Sequence, residues 1–76
     1  MFSDPRLKEN MEPIGEVGGL TMYEWDWKEG VSNLVGEMSL GFDADQVQDQ
    51  YPEFVEEIHG FKAVRYPELI EELRAA

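Results

Sequence analysis

A chain of 76 residues carrying 17 acidic and 6 basic side chains, a formal net charge of −11, is too short for more than one domain and too anionic to seek nucleic acid or an anionic membrane. With no cysteine and one histidine, it offers neither a disulfide nor a structural metal to a domain that buries only about 60% of its unfolded surface. Its 42% hydrophobic residues, with two tryptophans, three tyrosines and four phenylalanines, exclude a disordered acidic tail, and no apolar run reaches the roughly 20 residues that span a bilayer.

Residues 1–19 read as an N-terminal arm, ordered at most in part. Pro5, Pro13 and the glycines of GEVGG interrupt any period, and Leu7 and Met11 mark at most one helical turn. The opening MFSDPRLKEN lacks the apolar segment of a secretion signal, so the expected location is the cytoplasm.

Residues 20–76 read as a single small acidic domain. In TMYEWDW, Tyr23, Trp25 and Trp27 alternate with Glu24 and Asp26, the period of a strand, and KEG supplies a reversal. The next stretch, VSNLVGEMSLGF, has two readings. Val31, Leu34, Val35 and Met38 fit a helix face, the preferred reading, whereas Met38, Leu40 and Phe42 alternate as in a returning strand. Gly36 would cost that helix about 1 kcal/mol relative to alanine, and Gly41 would end it.

Asp43 has the place of an N-cap, with Asp45 in the first turn of the helix it starts. There follows a phrase stated twice, YPEFVEEI at 51–58 and YPELIEEL at 66–73. Proline is favoured at a first helical position, so Pro52 and Pro67 each predict a helix start, with HGFKAVR as the linker between two short helices. On a helical wheel Phe54, Val55 and Ile58 share one arc, as do Leu69, Ile70 and Leu73. Glu53, Glu56 and Glu57, and then Glu68, Glu71 and Glu72, form acidic faces opposite. The expected fold is α+β: one aromatic-rich strand or hairpin at about 20–27 packed with three or four short helices, the C-terminal half helical.

Motifs for catalysis are weak. Glu56 and His59 have the Glu-x-x-His spacing of di-metal bundles, which need a second such pair. Asp43, Asp45 and Asp49 match the first, third and seventh places of a calcium loop that fails at Val47, Gln48 and Phe54. No glycine-rich phosphate cradle is present, and nothing ties His59 to Ser3, Ser32 or Ser39. A protein that is not an enzyme is expected, with no cofactor and no metal.

Two functional readings remain. In the first, a small acidic interaction module inhibits a basic partner, such as a nucleic-acid-handling enzyme, by phosphate mimicry through Glu53, Glu56, Glu57, Glu68, Glu71, Glu72, Asp43, Asp45 and Asp49. A phage or mobile-element origin would suit it. In the second, an antitoxin-like or assembly and scaffold protein binds through the Tyr23, Trp25, Trp27 strip, with charge serving solubility. Both exclude direct contact with nucleic acid or membrane, and both leave a homodimer open.

Overall fold

In a computed structural model, which describes residues 1–31, 35–36 and 38–75, Lys8–Val17 (β1) pairs antiparallel with Leu20–Trp27 (β2), from Lys8 opposite Trp27 to Val17 opposite Leu20. Leu40–Phe42 (β3) adds to the other edge of β2, giving a sheet of order β1-β2-β3. Ala44–Gln50 (α1) follows. Val55–Ile58 (β4) and Phe61–Val64 (β5) then form a second antiparallel sheet, and Tyr66–Ala75 (α2) closes the chain. Two 3-10 turns, Pro5–Leu7 and Pro52–Phe54, precede β1 and β4.

Leu20, Phe42, Ala44, Val47, Val64, Tyr66 and Leu69 form the buried core, one or two from each of β2, β3, α1, β5 and α2. The strand expected at Tyr23–Trp27 is present, and so is the cap: the Asp43 carboxylate accepts the Asp45 N–H at 2.9 Å. Among the described residues no helix is long and apolar enough to cross a membrane.

The expected architecture of three or four helices and a helical C-terminal half is overturned. The described residues contain two α-helices and two small antiparallel sheets, and in the second half the helix from Tyr66 is matched by a hairpin before it. The two copies of the repeated phrase part company. YPELIEEL becomes α2, but in YPEFVEEI only Pro52–Phe54 turns, and Val55–Ile58 is strand. The reason lies in the segment read as a linker. His59 and Gly60 both have positive φ, 53° and 82°, which folds Phe61 back opposite Ile58 in a two-residue turn of the kind that joins tight hairpins. Strand pairing then overrides the helix preference of the glutamates.

Gly18 and Gly19 make the same kind of two-residue reversal between β1 and β2. β1 escapes detection in the sequence because most of it is exposed, so it shows no alternation of burial. It is also broken by irregularities between Glu9 and Glu12 and between Pro13 and Gly15. Pro13 is tolerated because β1 is an edge strand. Of the stretch 31–42, the returning-strand reading holds for Leu40 and Phe42, while Leu34 lies outside the described residues.

Candidate functional site

Residues 1–3 run along the free edge of β5. Phe2 bridges Ala63, the Ser3 N–H donates to the Lys62 carbonyl at 3.1 Å, and the Val64 N–H donates to the Met1 carbonyl at 2.8 Å. The 3-10 turn Pro5–Leu7 then swings the chain round, so that Lys8, the first residue of β1, returns over Ser3. Asp4 fixes this turn. Its carboxylate accepts the Arg6 N–H at 2.9 Å, the Arg6 guanidinium at 2.9 and 3.1 Å, and the Lys62 N–H at 3.0 Å.

Burial works to raise the Asp4 carboxyl, but the hydrogen bonds from Arg6 and Lys62 and the guanidinium charge bring it down to about 2. A folded value below the unfolded 3.8 means that Asp4 contributes about 2 kcal/mol of stability, present above pH 3.8 and lost as the pH falls towards 2. Asp4→Asn is therefore expected to be less stable than the native chain at pH 6 and to converge with it near pH 2. Urea melts at the two pH values read this directly, and a constant gap between them would refute the assignment.

Ser3, Asp4 and Lys8 are all at most 3% exposed. The Lys8 ammonium donates to Ser3 Oγ at 3.0 Å, to the Ser3 carbonyl at 2.8 Å and to the Phe42 carbonyl at 2.9 Å, and it sits 3.8 Å above the Trp25 ring. The Ser3 hydroxyl donates to the Phe42 carbonyl. Tyr66 Oη lies 2.8 Å from Ser3 Oγ and accepts the Phe42 N–H at 2.9 Å. Burial pushes the Lys8 ammonium down to about 8, against the pull of Asp43, Asp4 and Asp45. Burial likewise raises the Tyr66 hydroxyl, which stays protonated. A lysine that loses its proton near neutrality, in contact with a serine hydroxyl, is the arrangement by which an amine base activates an alcohol nucleophile.

The residues singled out in the sequence lie elsewhere. Glu56 and Glu57 point to opposite faces of β4, and Glu56 is paired with Arg65 at 3.0 Å. Glu53 is exposed in the 3-10 turn before β4, while Glu68, Glu71 and Glu72 line a shallow concavity on α2. Asp45 holds Lys62 at 2.6 Å, Asp43 is half-buried at the cap of α1, and Asp49 is exposed. Trp25 is 4% exposed and stacks edge-on against Trp27 at 5.3 Å; Tyr23 and Trp27 are partly exposed. His59 is spent on the β4–β5 turn, and among the described residues no group of three or more His, Asp and Glu is placed to hold a metal.

Sequence reasoning dismissed Ser3 by searching for a histidine partner and passed over Lys8 and Tyr66. The usable signal was SDPRLK, where an Asp-Pro turn start brings a serine and a lysine five residues apart face to face. Residues 3–56 match the model of the family Peptidase_S74, described as "Chaperone of endosialidase". Ser3, Lys8 and Phe42 fall inside that span and Tyr66 beyond it. No curated protein and no solved structure matches the chain.

Proposed function

The chain belongs to the family described as Chaperone of endosialidase, and from that premise we propose that it is an assembly chaperone that severs itself from whatever precedes Ser3, with Ser3 as nucleophile and Lys8 as base. The family's printed name joins a peptidase to a chaperone. The observation that carries the reading is the buried 3.0 Å contact of Lys8 Nζ with Ser3 Oγ.

The step begins when neutral Lys8 takes the Ser3 hydroxyl proton and Oγ adds to the carbonyl carbon of Phe2. The Phe2–Ser3 C–N bond breaks as Lys8 returns the proton to the departing amine, leaving residue 2 as an ester on Oγ. Water then adds to the ester, the C–O bond to Ser3 breaks, and the hydroxyl is restored, with a carboxylate on residue 2 and a free amine on Ser3. The chain on both sides of the bond is held, by β5 before it and by Lys8 and the Ala44 N–H on the Ser3 carbonyl after it, which supplies orientation without a separate binding step. One cut per chain gives no turnover, so the protein acts as a chaperone and not as an enzyme on outside substrates.

This reading develops the assembly alternative and leaves phosphate mimicry without support: the paired acidic helices it needed are not formed. A phage origin accords with it. The exposed carboxylates of α2 favour a basic surface on the protein being assembled. Intact-mass spectrometry of the full chain held at pH 9 tests the cut. The native chain is expected to lose everything before Ser3, and Ser3→Ala to keep it. Equal behaviour of the two chains would end the proposal.

A further inference from the structure

We propose that Tyr66 is a third catalytic residue, whose hydroxyl donates to Ser3 Oγ and holds that oxygen when it leaves the ester. This rests on the self-cleavage reading and deepens it. The direction of the hydrogen bond follows from its neighbours. A backbone N–H can only donate, so the 2.9 Å bond from the Phe42 N–H occupies a lone pair of Tyr66 Oη and leaves the phenolic proton to find an acceptor. Two acceptors are in reach, Ser3 Oγ at 2.8 Å and the Phe42 carbonyl at 3.4 Å, and the nearer is the serine.

The site is shaped for this hydroxyl. A Cβ at Gly41 would lie 2.5 Å from Tyr66 Oη and 3.1 Å from its Cζ, so only glycine there admits the phenol. The ring is set by stacking on Phe42, with centroids 6.1 Å apart and planes within 12°.

The two halves of the reaction use such a donor unequally. While Oγ attacks Phe2 it gives up electron density, and a donor on it brings no advantage. When the ester breaks, Oγ departs with the bonding pair, and a donor already in place stabilises the charge that develops there. Lys8 is engaged in that half with the proton of the attacking water, which it passes on to Oγ. Tyr66 donates a hydrogen bond throughout and transfers no proton. Its loss therefore falls on hydrolysis of the ester.

The test follows cleavage of the full chain with Tyr66→Phe by intact mass, with and without neutral hydroxylamine, a stronger nucleophile than water towards esters. Removal of one preorganised donor is expected to slow the water-dependent cut roughly 100-fold. Hydroxylamine, at concentrations where the native rate no longer rises with it and the attack on Phe2 is therefore limiting, is expected to restore most of the rate and to leave a hydroxamate on residue 2. A native rate in Tyr66→Phe overturns the inference. So does an equal loss with and without hydroxylamine, which is what a merely structural tyrosine would give. Should Tyr66→Phe fail to fold, Gly41→Ala, which displaces the hydroxyl and keeps every polar group, is judged by the same pair of rates. Failure of the underlying reading looks different, since Ser3→Ala would then match the native chain whatever Tyr66 does.

Discussion

Lys8→Met is expected to give a folded chain that is not cut before Ser3, with a rate at least about 100-fold below native, the lower range of what a positioned base contributes. The fold should survive because neither carbonyl that Lys8 serves depends on it alone. The Ser3 carbonyl keeps the Ala44 N–H at 3.0 Å, and the Phe42 carbonyl keeps the Ser3 hydroxyl. Methionine also fills the space over Trp25 and carries no buried charge. In the native chain the base has to be neutral, and the ammonium loses its proton at about 8. The cut should therefore accelerate about tenfold per pH unit below 8 and level off above it. Intact-mass time courses from pH 6 to 10 measure this, and a rate indifferent to pH would remove Lys8 from the role.

Leu69→Ala should cost about 2–5 kcal/mol, whereas Ile70→Ala, one residue on, should cost less than about 1 kcal/mol. Leu69 is fully buried among Leu20, Val47, Val64 and Tyr66, while Ile70 is 46% exposed. A domain of this length has a total stability of only about 4–11 kcal/mol, so the first change can take up most of the margin. Because α2 also carries Tyr66, cleavage should fail together with folding in Leu69→Ala and continue in Ile70→Ala. Urea denaturation of both variants checks the pair, and similar midpoints would mean that α2 does not seal the core as described.

Leu69 and Ile70 also show how far the sequence could be read. A helical wheel places both on the apolar side of α2, since both are greasy residues within one arc. What separates them is which neighbours exist, and Leu20, Val47 and Val64 stand 49, 22 and 5 positions away along the chain. The same limit applies to the site. The Asp-Pro turn that apposes Ser3 and Lys8 is local and legible in SDPRLK. The Phe42 carbonyl and the Tyr66 hydroxyl reach Ser3 across 39 and 63 residues, and no local pattern announces them.

By itself the sequence determined the acidic exterior, the aromatic strand at 20–27, the Asp43 cap and the proline-started helix at the C-terminus, because each depends on charge count or on preferences acting within a few residues. Only the tertiary structure decided that YPEFVEEI would pair as a strand, that KENMEPIGEV would join the aromatic strand, and that one lysine would be buried against a serine. Hairpin pairing and burial are set by groups brought together from far along the chain, and burial is what moves Lys8 from an ordinary surface cation to a base near neutrality.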